Sequence, residues 1–213
     1  MAAYLPWVTC GTGLLLGSLS VLVAERAAGD LPLRSAGTRA AVLLATSVAV
    51  GGLYLAGWLR FGVTSMLATW CWACSLGISL ALADLYFRRL PFALVAAFGA
   101  GGAATFLAAA VADGRWGRLA FACGAAAAVF AAAVAVQMAL PDHTGGGDTA
   151  LYGVLALYLG WFGWAGLFRG LLIASGLTAV VGLVVAACSG RARTRFPAGP
   201  SLLAGAFASV LLA

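Results

Sequence analysis

The chain has no lysine, a single histidine (His143) and only 8% charged residues among its 213. Each shortage excludes something. Serine catalysis wants a histidine or lysine partner, and the one histidine has no serine near it in a nucleophile-like setting. With so little charge there is no polar stretch long enough for an ordinary soluble domain. The basic residues are scattered and never interleave with exposed aromatics in a polar region, so nothing points to nucleic acid. His143 lacks a neighbouring cysteine or second histidine, which makes it a poor metal ligand, and it reads as a loop residue.

What the chain does hold is apolar: 64% hydrophobic residues and a mean hydropathy of +1.06. A bilayer core of about 30 Å needs roughly 20 apolar residues per helix, and windows of that length recur along the sequence. The expectation is an all-α integral membrane protein, a polytopic bundle of about eight transmembrane helices forming one domain over residues 1–213. The spans fall near Leu5–Ala24, Ala40–Leu59, Met66–Asp84, Leu90–Val111, Leu119–Leu140, Asp148–Phe168, Leu171–Cys188 and Pro197–Leu212. The runs are continuously apolar rather than alternating, which favours helices over a barrel. Small residues crowd Gly99–Ala109 and Gly124–Ala135, which suits close helix contacts in lipid. The first run reads as a span rather than a signal peptide, because no positive segment precedes Leu5.

All 12 basic residues are arginine, and their distribution orients the bundle. Arg26, Arg34, Arg39, Arg88, Arg89, Arg191, Arg193 and Arg195 fall in odd-numbered loops, whereas Arg60, Arg115, Arg118 and Arg169 fall in even-numbered ones. The positive-inside rule then puts the odd loops in the cytoplasm and both chain ends outside. The formal net charge of +6 fits this bias and an attraction to anionic lipid headgroups. Trp7, Trp58, Trp116, Trp161 and Trp164 lie near expected span ends, where indole suits the interface.

Cys71-Trp72-Ala73-Cys74 has the spacing of a redox or zinc pair but lies inside an apolar run. It reads as helix packing, as do Cys10, Cys123 and Cys188. No cofactor or metal is expected.

The informative residues are acidic. Asp84 and Asp148 border apolar runs, and the second ends Gly145-Gly146-Gly147-Asp148. An ionisable group at membrane depth is costly unless it is paired or faces water, so it marks a functional site by default. Asp84 borders the third loop and Asp148 the fifth, so both fall on one side of the membrane. Two carboxylates that share a site cannot both ionise freely, and such a pair supplies both the base and the acid of peptide hydrolysis. The three glycines are expected to adopt positive φ and to let backbone approach a substrate closely. Helix dipoles favour an ionised Asp148, at the start of a helix, as the base, and a protonated Asp84, at the end of one, as the acid.

Ala83-Asp84-Leu85-Tyr86-Phe87-Arg88-Arg89-Leu90-Pro91 and Gly145-Gly146-Gly147-Asp148, followed by Leu159-Gly160-Trp161, resemble the two catalytic motifs of bacterial type IV prepilin peptidases, the GxGD intramembrane aspartic proteases. Gly13-Leu14-Leu15-Leu16-Gly17-Ser18 through Arg26, and Phe196-Pro197-Ala198-Gly199-Pro200, agree as well, in the same order along nearly the whole chain. The resemblance implies a catalytic pair Asp84 and Asp148, with Gly145, Gly146, Gly147, Arg88 and Pro91 shaping the site. It implies removal of a short basic leader from a prepilin or pseudopilin at the cytoplasmic face of the bacterial inner membrane. Glu25, Asp30 and Asp142 fall on that same side, where they either attract such a leader or, as loop acids usually are, are simply solvated. Two departures matter. Ala150 stands where members usually have lysine, and Glu25–Arg39 replaces the cysteine-paired zinc insert linked to N-methylation, so peptidase activity is expected without methyltransferase activity. Intramembrane acids also serve relays, so a small proton- or cation-coupled transporter is the competing class. Ala150 further admits a silent relative that aids pilus assembly.

Overall fold

A chain in lipid has to satisfy its own backbone N–H and C=O groups, and the apolar runs do so as helices. The computed structural model describes residues 4–29, 31, 35–139, 145–189 and 197–212. These hold eight helices: α1 (Leu5–Ala28), α2 (Ala36–Phe61), α3 (Ser65–Phe87), α4 (Phe92–Asp113), α5 (Trp116–Ala139), α6 (Gly146–Gly160), α7 (Gly163–Ser189) and α8 (Gly199–Leu211). Six of them, α1 to α5 and α7, are long and apolar enough to cross a bilayer. The protein is a multi-pass bundle of membrane helices.

The other two helices correct the expectation of eight full spans. α6 has 15 residues and α8 has 13, which at 1.5 Å per residue is about 22 and 20 Å against a core of about 30 Å. The expected span Asp148–Phe168 is two helices: α6 stops at Gly160, the chain turns through Trp161 and Phe162, and α7 starts at Gly163. Gly163 has a φ of 78°, a conformation that glycine enters without a steric penalty. Hydropathy does not register this turn, because its residues are as apolar as the helices on either side. Two smaller expectations fall with it. Arg169 lies inside α7 rather than in a loop. Trp161 is fully buried, stacked on Phe106 with ring centroids 4.5 Å apart, while Trp7, Trp116 and Trp164 do face outward.

α6 is the centre of the molecule. Leu151, Leu155, Ala156, Leu159 and Trp161 are buried along it and just beyond it. On one side Tyr158 stacks on Phe98 of α4 at 4.8 Å and donates a 2.8 Å hydrogen bond to the Phe98 carbonyl. On another, glycines bring α5 in: a Cβ on Gly153 would stand 2.9 Å from Phe130 Cβ, and one on Gly160 would stand 3.0 Å from Ala122 Cα. Small residues thus set the helix spacing, as packing in lipid requires. The outer face of α5 is different, because Gly124 touches nothing and Cys123 is exposed. Cys188 is exposed too, so neither packs in the interior as expected, whereas Cys74 is buried in α3.

α1, α2 and α3 form the second half. Gly17 of α1 lies directly against Ser47 of α2. Ser20 donates 3.1 Å to the Ser75 carbonyl, and Tyr54 shares a 2.7 Å hydrogen bond with the Ser75 hydroxyl, so α1 and α2 both tie to α3. Interhelical polar bonds of this kind contribute about 0.6 kcal/mol each on average in a membrane.

Candidate functional site

Alternating helix directions bring the C-terminus of α3 and the N-termini of α4, α6 and α8 together at one pole of the bundle, beside the ends of α1, α2 and α5. The contacts there say so directly. Gly146 approaches Phe92 at the start of α4 and Gln137 near the end of α5, Gly147 approaches Leu90, and Gly199 approaches Asp84. At the same pole Glu25 of α1 pairs with Arg39 of α2 at 2.9 Å.

Asp84 sits in the last turn of α3 and is buried, with 5% of its surface exposed. Its main-chain carbonyl accepts the Arg88 N–H at 2.8 Å, where α3 stops with Arg88 in the left-handed region at φ 51°. Its side chain does something the sequence did not announce: Oδ2 accepts a 2.7 Å hydrogen bond from the backbone N–H of Gly199, at the start of α8. Asp148 occupies the third position of α6, and its carboxyl reaches back to the backbone N–H of Gly145, the residue that caps the helix. This is the geometry in which an acid at the third helical position satisfies a free N–H of the first turn. Both carboxyls border one and the same cleft.

Between them opens a cleft of about 500 Å³ lined by Ala27, Ala28, Asp84, Arg88, Arg89, Leu90, Pro91, Phe92, Gly145, Gly146, Gly147 and Asp148. Every residue singled out from the sequence as catalytic or site-shaping is on this wall. The volume lies in the range of small-ligand and peptide-side-chain sites, about 300–1,000 Å³, and admits water freely. Pro91, extended at φ −63° and ψ 123°, caps the start of α4, and Arg89, Leu90 and Pro91 form one rim of the cleft. Arg88 and Arg89 are exposed at its mouth.

The glycine run behaves differently from the expectation. Positive φ among glycines is confined, within the described residues, to Gly29, Gly62, Gly114 and Gly163. Gly145 is extended, at φ −90° and ψ 145°, and Gly146 and Gly147 already belong to α6. Their lack of side chains is needed for proximity instead: a Cβ on Gly147 would stand 2.6 Å from Leu90 Cβ, and one on Gly146 would stand 3.2 Å from Phe92. The run lets α6 press against the α3–α4 connection, which is what brings Asp148 to Asp84.

The remaining described carboxylates are engaged elsewhere. Glu25 is paired with Arg39, and Asp113 is held by Arg115 at 3.4 Å at the far pole. Among the described residues Asp84 and Asp148 have no ion-pair partner within 4.0 Å. Asp30, Asp142 and His143 lie outside the described residues. No group of three or more metal-ligating side chains gathers among the described residues.

Two site neighbours, Thr149 and Gln137, were missed in the sequence, and a third, Gly199, was noted there only within the stretch 196–200. Thr149 donates a 2.7 Å hydrogen bond to Gln137, bracing the start of α6 against α5. Gln137 is the chain's only glutamine, placed inside an apolar run, and that was a usable signal. The third, the Gly199 N–H, carries no side-chain signature at all. Ala150, at the position where a lysine was of interest, packs against the hydrophobic core.

Fold and site together define a multi-pass helical membrane protein with two carboxylates on one cleft at one pole. Compared with family models, with curated proteins and with solved structures, the chain returns no match.

Proposed function

We propose that the protein is an intramembrane aspartic endopeptidase that removes the short basic leader of prepilins or pseudopilins at the cytoplasmic face of the bacterial inner membrane. The observation that carries the reading is the meeting of Asp84 and Asp148, neither ion-paired among the described residues, on the wall of one open cleft. Acids without a basic partner, one buried as Asp84 is and one half-buried as Asp148 is, are unfavourable for stability, and a pair of them beside water is what peptide hydrolysis needs.

The chemistry is a hydrolysis shared by the pair. One carboxylate takes a proton from water as its oxygen adds to the peptide carbonyl carbon. The other, protonated, gives its proton to the nitrogen as the C–N bond breaks. The pair therefore works with one proton between its members, and its titration belongs to both. Helix dipoles do not divide the roles, since the Asp148 carboxyl sits at the N-terminus of α6 and the Asp84 carboxyl at that of α8. The assignment of Asp148 as base on dipole grounds loses its basis, because α8 gives Asp84 the same advantage.

The orientation rests on charge. Among the described residues the arginines are even, Arg26, Arg39, Arg88 and Arg89 at the dyad pole against Arg60, Arg115, Arg118 and Arg169 toward the far one, so the cytoplasmic placement of the dyad pole rests on the eight-to-four bias of arginine between odd and even loops of the sequence. A helical substrate in the bilayer then presents its leader junction at the level of the cleft.

Co-expression with a prepilin-type reporter, an apolar helix preceded by a short basic leader, tests this. The reporter is expected to lose its leader with the wild-type chain and to keep it with Asp84→Ala. Equal processing in both cells contradicts the reading. Proton or cation flux through vesicles bearing the purified chain, abolished by Asp84→Ala without any cleavage, supports the transporter class instead.

A further inference from the structure

α8 is too short to span a bilayer, yet its position is fixed closely. A Cβ on Gly205 would stand 2.5 Å from Ala174 Cα of α7, Ser201 shares a 2.9 Å hydrogen bond with Thr178 of α7, and Phe207 packs onto Gly77 of α3. This places the first N–H of the helix on Asp84 Oδ2 at 2.7 Å, in a buried contact. The fit leaves no room: a Cβ on residue 199 would lie 2.9 Å from that oxygen and 3.2 Å from Asp84 Cβ. The first N–H groups of a helix have no partner inside the helix, and here one of them is spent on a carboxyl that also lines the cleft.

We propose that Gly199 is a positioning residue for Asp84: its N–H holds one carboxyl oxygen against α8, and its missing side chain is what lets α8 close to that distance and aim the rest of the carboxyl at the cleft. The assignment rests on the peptidase reading for its catalytic meaning. The contact itself stands apart from that reading. α8 acts as a stop that sets the rotamer of Asp84, so that α3 delivers the acid and α8 points it. A displaced N–H leaves the acid present but misaligned, and small misplacements of this kind reduce turnover by about 10²-fold.

The test uses the full chain in lipid nanodiscs, with a synthetic peptide probe made of a short basic leader ending in glycine and an apolar helix. Gly199→Ala is expected to lower kcat by about 10–100-fold with KM within about twofold. In an Asp148→Asn background it is expected to move the infrared band of the remaining Asp84 carboxyl. Gly13→Ala, a packing change between α1 and α2 where a Cβ would stand 2.9 Å from Gly51 Cα, is expected to lower the unfolding temperature while leaving that band and the kcat of folded protein unchanged. A measurement free of any change at position 199 is the exchange of the Gly199 amide proton in ¹⁵N-glycine-labelled protein. It is expected to speed up at least about tenfold in Asp84→Ala, because a first-turn N–H has no other acceptor. An unmoved carboxyl band with unchanged kcat in Gly199→Ala, an equal loss of kcat in Gly199→Ala and Gly13→Ala, or unaltered Gly199 exchange in Asp84→Ala overturns the assignment. Failure of the wild-type chain to cleave the probe strikes the peptidase reading alone, and the band and exchange measurements still decide whether Gly199 holds Asp84.

Discussion

Gly147 and Leu90 touch so closely that a single added methyl at 147 would come 2.6 Å from Leu90 Cβ and 3.0 Å from the Leu90 carbonyl oxygen. The two residues belong to the two aspartate-bearing segments, and their contact is the hinge pin that holds these segments together. Because the obstacle includes backbone, trimming the Leu90 side chain offers no relief. Gly147→Ala is expected to lower stability by about 1–3 kcal/mol, the range for forcing atoms into a filled site, and to reduce cleavage as α6 backs away from α3. Leu90→Ala added to it should rescue neither. Thermal unfolding in detergent and the peptide assay measure both effects.

A pair that shares one proton has a working pH window bounded on both sides. As pH rises, the rate climbs when the first proton leaves the pair and falls when the second does, so kcat/KM against pH is expected to be bell-shaped, with both limbs belonging to the dyad. Replacing either aspartate with glutamate should move both limbs. A profile with one limb, or limbs untouched by both replacements, contradicts a shared proton.

Thr149 hands its hydroxyl proton to Gln137 across 2.7 Å, fixing the first turn of α6 to the last turns of α5. Thr149→Val keeps the shape and removes the bond, leaving the amide oxygen of Gln137 without that donor. The expected loss is about 1 kcal/mol of stability, with a several-fold lower kcat. Gln137→Leu in the same background should restore part of the stability, since removing both partners is gentler than removing one.

Far from the cleft, Tyr158 couples α6 to α4 by its stack on Phe98 and its bond to the Phe98 carbonyl. Tyr158→Phe retains the ring and is expected to cost about 0.5–1.5 kcal/mol, a typical net hydrogen bond, with kcat of the folded protein unchanged. A large fall in kcat at unchanged stability would show that the α4–α6 contact transmits to the dyad.

Helices and acids were legible in the sequence for the same reason: lipid leaves little choice about either. Long apolar runs have to fold as helices, and carboxylates are rare enough in them that Asp84 and Asp148 stand out. What escaped was whatever left hydropathy and side-chain chemistry unchanged. The turn at Trp161 and Phe162 is as apolar as the helices it separates, so the sequence puts the boundary between the sixth and seventh spans at Arg169 and Gly170 instead. The hydrogen bond from Gly199 to Asp84 joins positions 115 residues apart through a main-chain donor, which no residue type advertises. The glycine run was noticed for its freedom of φ, yet it serves by its lack of bulk, as Gly147 against Leu90 demonstrates.

The central claim is that Asp84 and Asp148 jointly split a peptide bond. Purified chain in nanodiscs, incubated with the leader–helix peptide and read by mass spectrometry, tests it most directly. The account predicts two product fragments from a single cut after the leader for the wild type, and a rate lower by about 10²–10⁴-fold, the weight of a general acid or base, in Asp84→Asn and in Asp148→Asn alike. Undiminished cleavage by either variant would contradict it.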